Sequence, residues 1–311
     1  MPKVAVVGAG NVGAEAGREI TQRRLADVTL IDIIADMPQG KALDILESAP
    51  ISGSSAHITG SNDFSAVTGS EIVVITAGVA RKPGMTRDDL IAINFKIVKD
   101  VCERIKTLAP DAIVIVVTNP LDAMVYTAQK ITGFSAPRVM GMAGVLDAAR
   151  LRAFITMELG VSAACVQAMV LGSHGDLMVP VARYASVSGI PLTDLLPAEK
   201  IHALTERTKG GGGEIVALLK TGSAYYAPGA SIAEMVQSVL WDEKRLLPVC
   251  AYLNGEFGIS GAYVGVPVIL GRKGVEKIVQ PRLLPEDLKA LQTSAEHVKE
   301  LMTVVDGLLG H

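Results

Sequence analysis

The chain of 311 residues is 49% hydrophobic, and its 29 basic side chains nearly balance its 32 acidic ones. This length is sufficient for two domains. No apolar run approaches the about 20 residues of a membrane span, no basic run indicates nucleic-acid binding, and no secretory leader opens the sequence. Three scattered cysteines exclude a disulfide framework and a Cys-x-x-Cys metal site. We therefore expect a cytoplasmic protein that binds a small molecule.

The first half of the chain alternates short apolar strands with helical segments, which is typical of an α/β fold. The apolar runs are continuous rather than alternating, which indicates strands covered on both faces. Repeated β-α-β units of this kind form a doubly wound parallel sheet. We therefore predict a Rossmann-type domain over residues 1–142. Its predicted elements are strands at Lys3–Val7, Val28–Ile31, Ile72–Thr76 and Ile113–Val117 and a helix at Ala14–Arg24.

The second half, residues 143–311, has a pattern that predicts an α+β substrate domain. Apolar residues recur at spacings of three and four from Leu288 to Val305, which predicts a terminal amphipathic helix. The glycine run Gly210–Gly213 predicts a flexible loop before a helix that opens at Glu214, with a ligand-binding role as the alternative. The other predicted elements are a helix at Val145–Leu159 and strands at Val166–Leu171 and Val264–Leu270.

The segment from Gly8 to Gly13 reads G-x-G-x-x-G between a strand and a helix, which indicates a dinucleotide-binding turn. Gly8 permits the tight turn, Gly10 lets the backbone approach a pyrophosphate, and Gly13 allows the helix to pack on the strand. Asp32 ends the second strand, where it would bind the adenosine ribose hydroxyls and repel a 2′-phosphate, so NAD is favoured over NADP. A Walker A motif is excluded, because its lysine and Ser/Thr do not follow Gly13. The alternative is that the glycines serve a tight turn alone.

Two polar segments follow strands of the predicted sheet, Thr76-Ala77-Gly78 and Val117-Thr118-Asn119-Pro120. Ligands bind at the carboxyl ends of such strands, so Asn119 is a candidate site residue. Its amide would bind both the nicotinamide ribose and a substrate oxygen, while Pro120 keeps it out of helical geometry. The alternative is an ordinary Asn-Pro turn.

One of the five histidines, His174, lies between glycines directly after an apolar strand. Oxidation of an alcohol by NAD needs a base for the hydroxyl proton, and histidine suits that role near neutral pH. His57, His202, His297 and His311 lie in polar or terminal segments. A hydrolase triad is excluded, because Ser173 and Asp176 are too near in sequence to point at one another and no G-x-S-x-G motif is present.

Asp147 and Arg150 are three residues apart on the predicted helix at Val145–Leu159 and therefore share a face. One interpretation is a surface ion pair worth a few tenths of a kcal/mol. In the other, Asp147 orients His174 and stabilises the imidazolium, while the forked guanidinium of Arg150 binds a substrate carboxylate.

Arg81 and Arg87 lie in a segment after the third strand whose Gly and Pro residues indicate a mobile loop. A solvated basic loop is one interpretation of these arginines. A loop at this position would also overhang the nicotinamide crevice and close on it as a lid.

Together these motifs resemble, in order, those of the lactate/malate dehydrogenase family, and specifically its malate dehydrogenases of the lactate-dehydrogenase-like type. The resemblance covers nearly the whole chain. It rests on Gly8–Gly13, Asp32, the segment from Ala80 to Arg87, Val117–Pro120, Leu146–Arg150 and Gly172–Asp176.

The resemblance implies a role in the reaction for each charged residue of these motifs. His174 would be the proton acceptor, Asp147 its partner, and Arg150 the group that binds the C1 carboxylate of a 2-hydroxy acid. Arg87 would polarise the carbonyl of oxaloacetate. Lactate-specific relatives carry glutamine where this chain has Arg81. A second buried carboxylate requires a second cation, so Arg81 favours a dicarboxylic substrate, malate.

The resemblance also implies the remaining site residues and a place in the tricarboxylic acid cycle. Ser223 would line the substrate pocket beside Asn119. Ser173 stands where relatives more often carry Glu or Gly, and we expect this difference to have little effect, with altered hydrogen bonding around the imidazole as the alternative. No metal is implied. The NAD-binding residues would be Gly8, Ala9, Gly10, Asn11, Val12, Gly13, Asp32, Asn94, Val117, Thr118 and Asn119.

Two alternatives remain open at this point. A lactate or other 2-hydroxyacid dehydrogenase is disfavoured by Arg81, and a non-catalytic NAD-sensing regulator would not need His174, Asp147 and three arginines. The resemblance further implies a homodimer or homotetramer, with the apolar segments Ala42–Leu46 and Ile232–Leu240 as candidate interfaces.

Overall fold

A computed structural model describes residues 1–80 and 85–310, except for the side chain of Arg87. The strands in these residues are β1 (Lys3–Val7), β2 (Asp27–Ile31), β3 (Ile58–Ser61), β4 (Ile72–Ile75), β5 (Ile113–Val116), β6 (Val139–Gly141), β7 (Val166–Gln167), β8 (Val170–Gly172), β9 (Met178–Pro180), β10 (Ser186–Val187), β11 (Ile190–Pro191), β12 (Arg245–Asn254), β13 (Ser260–Gly271) and β14 (Gly274–Ile278). The helices are α1 (Asn11–Gln22), α2 (Met37–Ser52), α3 (Arg87–Leu108), α4 (Leu121–Thr132), α5 (Gly144–Leu159), α6 (Leu192–Leu195), α7 (Ala198–Leu219), α8 (Tyr226–Leu240) and α9 (Pro285–Leu309).

The first six strands form a parallel sheet in the order β3-β2-β1-β4-β5-β6. This is the strand order of a Rossmann fold, so the predicted fold class is confirmed. The central strands β4 and β5 consist entirely of buried β-branched residues, as expected for strands covered by helices on both faces. The strand order reverses between β1 and β4, which opens a crevice at their carboxyl ends.

The second half extends the same sheet in antiparallel fashion. Strand β12 pairs with β6 at Cys250 and Gly141, and β13, β8 and β9 follow, with β14 on β13. Strands β7, β10 and β11 form a separate small sheet. The long hairpin of β12 and β13 therefore connects the nucleotide-binding half to the α+β half that was expected.

Two predicted elements were wrong. The single strand expected at Val166–Leu171 is two strands, because β7 pairs with β10 in the small sheet whereas β8 pairs with β9 and β13 in the large one. The glycine run Gly210–Gly213 is not a loop but lies inside α7. Glycine has a low intrinsic helix propensity, so this segment is helical through its tertiary packing.

The two candidate interface segments differ in exposure. Ile232–Leu240 lies in α8, whose apolar side chains are buried by the chain itself, against α1 and β13. It is therefore a core element and not a free interface. In Ala42–Leu46, by contrast, Leu43 and Leu46 are exposed. In the residues that the structure describes, no helix combines the length and the apolar character that a bilayer crossing requires.

Candidate active site

A cleft of about 470 Å³ lies at the carboxyl ends of the parallel strands. It is bounded by α5 and α7 and by the loop between β8 and β9. Val12, Asn119, Arg150, His174 and Ser223 all line it. The fold therefore brings residues from distant parts of the sequence to one site.

The glycine turn has the geometry that its motif predicts. Gly8 has a φ of +104°, and a Cβ on Gly13 would lie 1.9 Å from the carbonyl oxygen of Gly8. A Cβ on Gly10 would meet nothing within 4 Å, so the space in front of this residue is open. Helix α1 begins at Asn11, earlier than predicted, and no side chain caps its first turn. Its free N–H groups are therefore available to a pyrophosphate, and the turn fits a dinucleotide.

Asp32 follows β2 directly and holds the glycine turn to it. Its carboxylate accepts hydrogen bonds from the backbone N–H groups of Ala9, at 2.7 Å, and Ile34, at 3.0 Å. The carboxylate therefore lies beside the turn, as a ribose-binding role requires.

Asn94 is fully buried and shapes the cleft from below. Its side-chain N–H groups donate to the backbone oxygens of Asn119, at 2.6 Å, and Val79, at 3.1 Å, and its oxygen accepts from the N–H of Val79. Thr118 similarly donates to the backbone oxygen of Ala77 at 2.7 Å. These polar groups join the loops after β4 and β5, which places Asn119 at the surface of the cleft.

The carboxylate of Asp147 contacts both His174 and Arg150, the candidate base and the candidate carboxylate-binding cation. One oxygen of Asp147 lies 2.9 Å from Nδ1 of His174, and the other lies 3.0 Å from Nη1 of Arg150. The side chain of Asp147 is 2% exposed, whereas those of Arg150 and His174 are 12% and 18% exposed. The i,i+3 ion pair is thus part of the site rather than a solvated surface pair.

The electrostatics of this cluster favour a protonated imidazole. Burial of the His174 ring lowers its pKa, but the negative charge of Asp147 and the hydrogen bond to it outweigh burial. Arg150 opposes this effect, and the net result is that the pKa of His174 is raised above its ordinary value. Because Nδ1 is bonded to Asp147, Nε2 is left to exchange a proton with a bound molecule.

The glycine run of α7 lies against Arg150. A Cβ on Gly211 would lie 3.1 Å from Cδ of Arg150, and one on Gly212 would lie 3.6 Å from its Nη2. In the described structure Nε of Arg150 is buried and has no hydrogen-bond partner. Since a buried guanidinium N–H without a partner is costly, Arg150 keeps an unused donor in a side chain that lines the cleft.

Other residues singled out in the sequence bond away from the imidazole or lie outside the described structure. Ser173 is buried, and its hydroxyl and N–H bond to Ser294 of α9 rather than to the imidazole, which agrees with the small effect expected of it and not with the alternative. Arg81 lies outside the described residues, as do Lys82–Gly84 of the predicted lid, the side chain of Arg87 and the terminal His311. The roles of Arg81 and Arg87 remain predictions from the sequence.

Two family models match the chain. Residues 2–141 match the lactate/malate dehydrogenase NAD binding domain, and residues 144–306 match the lactate/malate dehydrogenase alpha/beta C-terminal domain. The chain belongs to the lactate/malate dehydrogenase family. The prediction that its first half binds NAD is confirmed by the first of these matches.

Individual members of the lactate/malate dehydrogenase family match over the full chain. The malate dehydrogenase of Thermomicrobium roseum is 54% identical over 306 residues, which are 98% of this chain and 99% of that protein. The apo malate dehydrogenase of Picrophilus torridus has a TM-score of 0.96 at 45% identity and covers 99% of this chain and 98% of its own. A lactate dehydrogenase of Cryptosporidium parvum, solved with lactic acid and nicotinamide adenine dinucleotide, has a TM-score of 0.94 at 40% identity and covers 98% of each chain.

Sequence reasoning missed two buried residues behind the base. Asp122 of α4 accepts a hydrogen bond from the backbone N–H of His174 at 3.2 Å, and the thiol of Cys250 in β12 donates to the same carboxylate at 3.2 Å. The sequence did carry one signal for Asp122. It is the single acidic residue in an apolar helical segment that begins directly after Asn119-Pro120. Its contact with His174 joins residues far apart in sequence.

Substitution of Asp147 by asparagine should lower the pKa of His174. Removal of the Asp147 charge leaves burial and Arg150, which both lower the pKa of His174, opposed only by the smaller effect of Asp122. An NMR titration of the ring should therefore show a midpoint below the wild-type one by roughly one unit or more. Asp194→Asn, an exposed substitution of the same kind on α6, should leave the midpoint in place. An equal midpoint in Asp147→Asn and wild type would refute the coupling.

Proposed function

We propose that this protein is an NAD-dependent malate dehydrogenase, which interconverts (S)-malate and oxaloacetate with His174 as the proton acceptor. The observation that carries the proposal is the buried Asp147 carboxylate, which binds a candidate base and a candidate carboxylate-binding cation at once. The names of its relatives, malate dehydrogenases of about half-identical sequence, support the same reaction.

The base acts through the free nitrogen of its ring. In malate oxidation Nε2 of His174 takes the proton of the C2 hydroxyl, and Asp147 stabilises the imidazolium that results. Bound NAD supplies the acceptor for the hydride that leaves C2. In the reverse direction the protonated ring returns its proton to the carbonyl oxygen of oxaloacetate, which the raised pKa of His174 favours.

The substrate is held by its two carboxylates. Arg150 binds the C1 carboxylate with the guanidinium edge that has no protein partner, while its other edge remains on Asp147. Asn119 and Ser223 contribute further polar contacts from the cleft wall. Arg81 pairs with the distal carboxylate, and Arg87 polarises the carbonyl when the loop closes, both by resemblance to the family.

NAD would be held at the carboxyl ends of β1, β2, β4 and β5. The N–H groups of Asn11, Val12 and Gly13 would bind its pyrophosphate, and Asp32 would bind the adenosine ribose and disfavour NADP. Val117, Thr118 and Asn119 would contact the nicotinamide half, and Asn94 fixes their loop by its hydrogen bond to the backbone oxygen of Asn119. Closure of the site excludes water and strengthens each charge contact.

The proposal also includes two domains, a homo-oligomeric assembly and a cytoplasmic location. Residues 1–142 form the NAD-binding domain and residues 143–311 the substrate domain, and Arg81, Arg87 and Asn119 reach the substrate from the first of these. The exposed apolar side chains of α2, Leu43, Leu46 and Ile51, provide a surface for a homodimer or homotetramer. Three free thiols, two of them buried, fit a reducing cytoplasm.

Replacement of Arg81 by glutamine should shift the preference from oxaloacetate towards pyruvate. The change leaves the distal carboxylate without its cation, at a cost that corresponds to roughly a hundredfold or greater loss of kcat/KM for oxaloacetate. The test is NADH oxidation with each substrate. The same substitution at the exposed Arg104 of α3 serves as control. Unchanged discrimination in Arg81→Gln would show that this residue does not select the substrate.

Addition of a methyl group at Gly211 should displace Arg150 and raise the KM for oxaloacetate, by roughly tenfold if the overpacking cost is typical. Gly210→Ala is the matched control, because it makes the same change one residue away on α7 where a Cβ meets nothing within 4 Å. Both substitutions raise helix propensity equally, so helix propensity cannot explain a difference between them. Equal KM values for the two variants would contradict the steric role of the glycine run.

A further inference from the structure

Asp122 is a buried acidic residue that the proposed reaction does not use. It lies in the first turn of α4, three residues after Asn119, and is 3% exposed. No ion pair among the described residues includes it. Its two oxygens accept hydrogen bonds from the backbone N–H of His174 and the thiol of Cys250, each at 3.2 Å. A carboxylate buried with only neutral donors is costly, so it needs an explanation.

The hydrogen bond to His174 crosses the boundary between the two halves of the chain. Helix α4 belongs to the nucleotide-binding half, whereas His174 lies after β8 in the other half. The preceding N–H, that of Ser173, is held by Ser294 of α9. Two consecutive backbone groups are thus fixed from two helices, which sets the position of the base relative to Asn119.

Asp122 also contributes charge behind the imidazole. In the described part of the chain the charged groups that act on the ring are Asp147 and Arg150 from α5 and Asp122 from α4, and Asp122 raises the pKa of His174 as Asp147 does. Burial raises the pKa of Asp122 itself to about 6, while its hydrogen bond from Cys250 and the charge of His174 act in the opposite direction. The thiol of Cys250 and the charge of His174 therefore stabilise the ionised carboxylate against the effect of its burial.

We propose that Asp122 is a positioning residue for the reaction, which fixes the backbone of His174 against the nucleotide-binding half and adds a second negative charge that stabilises the imidazolium. This inference rests on the proposed role of His174 as the proton acceptor. Cys250 supports this role of Asp122, because its thiol donates a hydrogen bond to the carboxylate and stabilises the ionised form of that buried group.

The test separates the charge of Asp122 from its shape. In Asp122→Asn the amide oxygen still accepts from the N–H of His174, but the charge is lost. Because reduction of oxaloacetate requires the protonated ring, kcat/KM for oxaloacetate falls as pH rises through the pKa of His174. In Asp122→Asn this fall should occur at lower pH, by roughly half a unit or more, and the NMR midpoint of the ring should move with it.

Further variants control for a purely structural effect. Asp122→Ala also removes the backbone acceptor and should lower kcat by roughly tenfold, which Asp122→Asn should restore at low pH. Tyr126→Phe removes a hydrogen bond to Asp306 from the same helix, one turn further on, and should lower the Tm without moving the pH profile. Cys250→Ala keeps the carboxylate but weakens its ionised form, so it should shift the profile in the same direction as Asp122→Asn.

The outcomes distinguish this inference from the reaction itself. His174→Asn should abolish turnover, and retained turnover in this variant would refute the proposed role of His174 as the proton acceptor. If His174→Asn is inactive while Asp122→Asn has the wild-type midpoint and Asp122→Ala the wild-type kcat, the inference alone is overturned. If Asp122→Asn does not fold, an unshifted midpoint in Cys250→Ala overturns it equally.

Discussion

The site depends on one buried carboxylate that is shared by an arginine and a histidine. Asp147 is almost fully enclosed, and an unpaired charge in such a position would cost several kcal/mol. Its two oxygens bind Arg150 and His174, so each partner stabilises the carboxylate and is in turn oriented by it. When His174 is protonated the three side chains carry a net positive charge. The cluster is therefore prepared for an anionic substrate before one binds.

The fold makes this arrangement possible through close approaches of backbone. Parallel strands bring the glycine turn, Asp32 and Asn119 to one edge of the sheet, and the hairpin of β12 and β13 places α5 and the His174 loop opposite them. Gly13 lets α1 pack on the turn, and Gly211 lets α7 pack on the Arg150 side chain. Small residues thus occur where the polar groups of the site need space, and the adjacent strands supply the rigid frame.

Much of this was accessible from the sequence, because the signals are local. Continuous apolar strands, the glycine turn and the segments that carry Asp147 and His174 each have a pattern within a few residues. The split of Val166–Leu171 into two strands depends on partners in different sheets, and the helical state of Gly210–Gly213 depends on packing that opposes glycine's own preference. The bond from His174 to Asp122 is likewise a tertiary contact. No pattern within a few residues of Asp122 indicates that its carboxylate accepts a hydrogen bond from the backbone N–H of His174 in the other half of the chain.

The central claim is that the charged cleft acts on a dicarboxylic 2-oxo acid with NADH. The most direct measurement is kcat/KM of the wild-type protein for oxaloacetate and for pyruvate, under the same conditions with NADH. We predict a strong preference for oxaloacetate, roughly a hundredfold or more, because in the proposed function Arg81 pairs with its distal carboxylate. Equal values, or a preference for pyruvate, would contradict it.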